Sequence, residues 1–239
     1  MKKINAVYVS LVALVVAVAA LVVCLLPCSK GGNAVEEALN NDPEMIIRAM
    51  QKYDAMQREK AQKEAEKLFE DNAEALYNNP ADGLLGNPEG KVVLVEFFDF
   101  SCGYCHRLYP ALKNIVANNP DLKLVAKPLA FLSPMSKYAA KAALAAKEQG
   151  KFVEVYSALM EIKGALTEAK IDEAAVLAGA DLEKLKTDME SEKIAKTLDE
   201  TSALASKIRV GGVPTMVLNN KLLQTLDENV IQEAINAAK

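Results

Sequence analysis

Two of the four cysteines in this 239-residue chain stand close together, in the run Cys102-Gly103-Tyr104-Cys105-His106. Two thiols at this spacing can cycle between dithiol and disulfide. The segment just before them, Val92-Val93-Leu94-Val95-Glu96-Phe97-Phe98, is short, apolar and aromatic, and reads as a buried central strand. After them, Leu108, Leu112, Ile115 and Val116 share one helical face, with Pro110 expected to kink the helix. The motif therefore lies where a strand passes into a helix, which brings the first sulfur beside the unpaired amides of the helix N-terminus. Those amides stabilise a thiolate, and cysteines in such motifs titrate between about 3.5 and 7.5 instead of about 8.5. The lower that value, the more oxidising the disulfide. Cys102, on the outer side of the turn, is expected to attack and to leave. Cys105, one turn on and half covered, is expected to resolve the mixed disulfide. Gly103 keeps the approach open, and Tyr104 offers a flat apolar surface to a client chain.

The same five residues admit other chemistry. Cys-x-x-Cys-His is also the attachment signature of a c-type haem, with His106 as the axial ligand. The preceding buried strand and the Pro-containing strand near the C-terminus are not features that haem attachment calls for. Structural zinc would need two further ligands, yet His106 is the one histidine and the rest of the globular part holds no second cysteine pair. No metal or resident cofactor is expected. His106 itself is either a solvated helix residue or a positive neighbour of Cys102.

The surrounding pattern defines a frame for the motif. Leu122 to Lys127 gives a second strand and completes a β-α-β unit with a parallel pair. From about 133 to 208 the pattern is helical, with starts at Ser133, Thr167, Asp181 and Ser191 and breaks at Gly150, Gly164 and Gly179. Gly211-Gly212-Val213-Pro214 then leads into Thr215-Met216-Val217-Leu218, a turn at Asn219-Asn220, a short strand at Leu222-Leu223 and a last helix begun by Asp227. The order is that of a split α/β fold with an all-helical insertion. Residues 78–90 read as a turn-rich linker.

Upstream, Asp42-Pro43-Glu44 reads as a helix start, and one long helix is predicted from Pro43 to Asn78. Its stripe includes Ile46, Met50, Tyr53, Met56 and Phe69, while Glu59/Lys63, Lys60/Glu64 and Lys67/Asp71 can pair on the other face. The stripe needs burial, either against its own domain or in a dimer or trimer, and homo-oligomerisation is the expectation. The formal net charge of -4, with no basic block after Lys3, leaves no footprint for nucleic acid.

Residues 6–27 form an uncharged run of about twenty apolar residues behind Lys2 and Lys3, long enough to cross a bilayer core. The positive flank places the following chain outside, so the working domain reads as exported to a periplasmic or other extracytoplasmic space. An uncleaved anchor is preferred over a signal peptide cut after Ala17-Val18-Ala19, which would leave an apolar tail, and over lipoprotein processing at Cys24 or Cys28. Cys24 and Cys28 read as apolar residues of that segment. The division is thus 1–30 as anchor or signal, 31–80 as helical stalk, and 81–239 as catalytic domain.

The sequence from Val95 to Cys105, together with Gly212-Val213-Pro214-Thr215, resembles the DsbA-like family of bacterial thiol:disulfide oxidoreductases. The resemblance implies a thioredoxin fold from about Gly86 to the C-terminus. It implies a cis Val213–Pro214 bond set against the cysteines, the proline leaving the preceding backbone free to pair with a client. It matches Glu96 to a buried acid that tunes the centre, with Lys127 on the neighbouring strand as its partner. A carboxylate in an apolar strand must be paired or titrate high, and can then shuttle protons. The implied partners are unfolded or misoxidised exported proteins and a membrane redox partner of the DsbB or DsbD type. The Gly-Tyr dipeptide looks more like the disulfide isomerases, and the N-terminal helix resembles the oligomeric ScsC-like branch, whereas Val213 is the oxidase-like choice. Oxidase and isomerase both stay open, as does a non-catalytic binding or chaperone module using the same groove.

Overall fold

The computed structural model describes the chain from residue 30, with side chains from residue 34. The apolar segment 6–27, with Cys24 and Cys28, lies outside the described residues. Among those described, no helix is long and apolar enough to cross a membrane. The chain divides into two compact units, with the division after Arg58.

The first unit contains α1 (Lys30–Asn41) and the start of α2 (Met45–Glu70). Asp42, the first residue of the link between them, engages the Arg48 guanidinium. Ile46, Met50, Tyr53 and Met56 are all exposed. The single helix predicted to Asn78 is not continuous. It stops at Glu70, turns at Asp71 and Asn72, and resumes as the short α3 (Ala73–Tyr77). The cause is local: the Asn72 side-chain amide donates to the Leu68 carbonyl at 2.7 Å, replacing a backbone donor of the next turn. Of the three predicted ion pairs, Glu59–Lys63 forms at 2.6 Å, while Glu64 lies 3.5 Å from Arg209.

The second unit is built on a five-stranded sheet. Its strands are β1 (Gly83–Gly86), β2 (Val92–Phe98), β3 (Leu122–Pro128), β4 (Thr215–Leu218) and β5 (Lys221–Leu223), in the order β1-β3-β2-β4-β5. β2 and β3 run parallel through the crossover helix α4 (Gly103–Asn118), which continues through Pro110 as one helix. The other three pairings are antiparallel. β1 falls in the segment predicted as linker. Only two apolar residues mark it, and Gly83 is required there because a Cβ would sit 1.8 Å from the Phe152 ring.

Between β3 and β4 stand α5 (Pro134–Lys147), α6 (Phe152–Glu161), α7 (Glu168–Leu177), α8 (Leu182–Met189) and α9 (Glu192–Lys207). Ser133, Thr167, Asp181 and Ser191 each cap one of them through the side-chain oxygen. α10 (Glu228–Ala237) is capped by Asp227. The sheet alternates cleanly at its centre. Leu94 and Phe98 face one core with α4, α5 and α6, while Val95 and Phe97 face a second with Phe69, Leu76 and Leu204. This is the predicted thioredoxin-like α/β fold with a helical insertion.

Candidate active site

β2 delivers the chain directly into the cysteine motif. Asp99, buried just beyond the strand, accepts from Ser101 N on one carboxylate oxygen at 2.8 Å. Its other oxygen accepts from Phe131 N and Leu132 N at 3.1 and 3.0 Å. One carboxylate thus ties the approach to the motif to the loop after β3. The Ser101 hydroxyl lies 2.7 Å from that of Ser133 and accepts from Ser136 at 3.0 Å, joining the motif to the start of α5. No feature of residue spacing announced either network.

Cys102 is the N-cap of α4, in extended conformation, and Cys105 lies inside the first turn. Both are thiols and both are more buried than predicted: Cys102 is 6% exposed and Cys105 is fully covered. The order of exposure is as expected, but Cys105 is not half open: it lies inside the main buried core, which also holds Phe98, Phe100 and Tyr156. Burial drives the Cys105 thiol far above the usual range, the Glu96 charge and the neighbouring Cys102 pushing the same way against a backbone hydrogen bond from Asp99. A Cβ at Gly103 would meet nothing within 4 Å, so the approach there is open. Tyr104 is 56% exposed, with the Arg107 guanidinium 4.2 Å above its ring.

The loop before β4 reaches the same point. The Val213–Pro214 bond is cis, and the Cys102 Sγ–H donates to the Val213 carbonyl at 3.5 Å. Tyr104, Val213, Pro214, Leu226 and the α2 residues Ala65 and Leu68 line a groove of about 760 Å³ beside the motif.

His106 is not the solvated helix residue that one of its two readings made it. It is partly buried, with Nδ1 2.7 Å from the Met160 carbonyl and Nε2 2.7 Å from the Phe100 carbonyl. Both ring nitrogens are engaged by backbone acceptors, so neither is presented to a haem iron.

Glu96 is fully buried, as expected for a tuning acid, but its partner is not Lys127. In the parallel register Glu96 lies beside Ala126 and Lys127 beside Phe97. Side chains alternate along a strand, so Glu96 and Lys127 project from opposite faces of the sheet. Lys127 instead pairs with the buried Asp82 and donates to the Ala75 carbonyl at 2.7 Å. Burial lowers the Lys127 pKa and raises that of Asp82, each opposed by the other's charge. The group that meets Glu96 is Tyr156 of α6, whose hydroxyl donates to Oε2 at 2.9 Å. Burial raises the Glu96 carboxyl to about 7, with the Tyr156 bond pulling it down. No residue pattern pointed to Tyr156.

The arrangement presents one sulfur at a helix N-terminus, a second beneath it, an acid able to titrate near neutrality, and a groove alongside. It suits two-step thiol exchange with a bound polypeptide.

The family model for the DSBA-like thioredoxin domain matches residues 93–236. A thioredoxin-like oxidoreductase from Silicibacter pomeroyi is 35% identical, with 69% of this chain and 96% of that one superposed at a TM-score of 0.65. The catalytic domain of Proteus mirabilis ScsC is 27% identical, over 72% of this chain and 97% of that one, at a TM-score of 0.67. The thiol:disulfide interchange protein DsbA of Burkholderia cepacia is 30% identical over 143 residues, 56% of this chain and 66% of that protein. A Na(+)/H(+) antiporter NhaA 1 of Salinispora arenicola matches at 30% over 135 residues, and there the chain spans 21% of the relative's length.

Proposed function

Because the chain belongs to the DSBA-like thioredoxin domain family, we propose that it is a protein thiol:disulfide oxidoreductase acting through Cys102 and Cys105. The observation that carries this reading is the placement of Cys102. It caps α4, is the more accessible thiol, and touches the Val213 carbonyl at the head of the groove.

Starting from the dithiol, the Cys102 thiolate attacks a client disulfide. One client sulfur leaves with the bonding electron pair and takes up a proton, and a Cys102–client mixed disulfide remains. Cys105 then gives up its proton and attacks Cys102 Sγ, and the second client sulfur departs as a thiol. The client is reduced by two electrons and the cysteine pair is oxidised. The reverse sequence introduces a disulfide. In this reading His106, Gly103 and Tyr104 shape the approach, Glu96 takes the Cys105 proton, and Val213 and Pro214 border the client strand.

The clients are unfolded or misoxidised exported proteins, and a membrane partner of the DsbB or DsbD type resets the pair. The exposed stripe of Ile46, Met50, Tyr53 and Met56 supports assembly into a dimer or trimer, which would set several Cys102 centres against one client and so favour isomerase work. Light scattering of the protein and of a variant with Ile46→Glu and Met50→Glu tests this, and a monomer in both cases refutes it.

The central test replaces Cys105 and Cys102 separately by Ala in cells. Loss of Cys105 is expected to accumulate mixed disulfides, and loss of Cys102 to abolish them. Trapping by the Cys102 variant would reverse the roles. No trapping by either would favour a non-catalytic binding module. Alkylation of the intact protein then separates an oxidase, resting oxidised, from an isomerase, resting reduced.

A further inference from the structure

Tyr156 is the largest side chain among the fully buried residues. It comes from the helical insertion, 60 residues along the chain from Glu96, and its ring is held by four others. Phe98, Phe100 and Tyr109 meet it edge-on at 5.2, 5.9 and 5.8 Å, and Phe152 stacks at 5.8 Å. A ring so confined has its hydroxyl fixed in direction. That hydroxyl makes one side-chain hydrogen bond, to Glu96 Oε2.

The other oxygen, Oε1, is buried and has no hydrogen-bond partner among the described residues. The groups facing Glu96 are few. They are Tyr156 on α6, the Cys105 thiol on α4, and the apolar Ala126 and Met216 opposite it on β3 and β4. Lys127, on the other face of the sheet, is occupied by Asp82. A phenol that donates to Oε2 makes that oxygen the acceptor end of the carboxyl, so a proton bound by Glu96 belongs on Oε1.

We infer that Tyr156 is a positioning residue of the redox centre, holding Oε2 of Glu96 so that Oε1 is the oxygen that exchanges a proton with Cys105. This rests on the thiol-exchange reading and adds the residue that orients its acid. As Cys105 attacks Cys102 Sγ in a mixed disulfide, its proton passes to Oε1, which accepts no hydrogen bond from that thiol in the dithiol state, through a bridging water, and the leaving sulfur takes the electron pair. In the reverse direction Oε1 returns the proton to Cys105. The insertion thereby contributes directly to the chemistry of the cysteine pair.

The test uses the reduced full chain and the aryl disulfide dithionitrobenzoate as oxidant. Attack by Cys102 releases one coloured thiolate, and attack by Cys105 on the resulting adduct releases a second. Tyr156→Phe removes the hydroxyl and keeps the ring. It is expected to leave the first release unchanged and to move the inflection of the second upward by about one pH unit, roughly tenfold slower on the acid side. Because the carboxylate loses the bond that favours it, the base appears only at higher pH. The stretching band of the protonated buried carboxyl should titrate upward by the same amount. In a Glu96→Gln background Tyr156→Phe should move nothing further. An unmoved inflection, or an equal shift in the Glu96→Gln background, overturns the inference. If the unsubstituted protein shows no first release while the carboxyl band still shifts in Tyr156→Phe, thiol exchange is refuted and the hydrogen bond is not.

Discussion

Lys127→Met separates two accounts of the buried charges around the redox centre. Lys127 and Asp82 are each 1% exposed, and Lys127 also serves the Ala75 carbonyl. Removing the cation strands a carboxylate whose Oδ1 already has no partner among the described residues. Breaking a buried pair on one side costs about 3–5 kcal/mol. Lys147, which donates to the Asp82 carbonyl at 2.6 Å, and Lys123 still favour the anion, so the lower end, about 3 kcal/mol, is expected. At a urea dependence of about 2 kcal/mol per molar this moves the unfolding midpoint down by roughly 1.5 M. Adding Asp82→Asn should return a large part of the loss, since the stranded charge is then gone. The inflection of the second thiolate release should stay where it is, because Lys127 and Glu96 lie on opposite sheet faces. An inflection displaced as far as in Glu96→Gln, or a urea midpoint that does not move, would refute the pairing with Asp82.

Glu96 makes stability depend on pH with a definite sign. Its carboxyl is raised from 4.5 to about 7, so the folded state binds more protons between those values, and stability is fully present below the lower value and lost as pH rises through the upper one. Urea titrations should show about 3 kcal/mol more stability at pH 4.5 than at pH 8 from this group, and Glu96→Gln should remove that difference. Asp99→Ala strips three backbone amides of their acceptor and is expected to cost about 3 kcal/mol, with faster amide exchange confined to Ser101, Phe131 and Leu132. Uniform exchange changes across the sheet would contradict that local role.

Local signals in the sequence carried much of this structure. A side-chain oxygen before an apolar-periodic run located four helix starts in the insertion, because an N-cap is settled within four residues. The apolar block before Cys102 located β2 for a similar reason. β1 was hidden because two leucines between glycines carry no periodicity, and its strand character comes from pairing with β3, some forty residues away. The stop at Asn72 was hidden because it depends on one side chain turning back on the helix. Glu96 was legible as a buried acid because it interrupts an otherwise apolar run. Its partner was not: strand adjacency suggested Lys127, whereas register and pleat decide which face a side chain takes. Tyr156 meets Glu96 only through tertiary packing, which no spacing along the chain encodes.

The links between the insertion and the motif have a consequence for anyone who would treat the two as separable parts. Phe100 and Met160 share a single imidazole ring, Ser101 shares hydroxyl contacts with Ser133 and Ser136, and Glu96 shares a phenol. A chimera that grafts this CGYC segment onto a thioredoxin core with a different insertion would transplant the sulfurs without their wiring. The portable unit is a discontinuous one, made of β2, the first turn of α4, the start of α5 and the length of α6, and it must be moved whole.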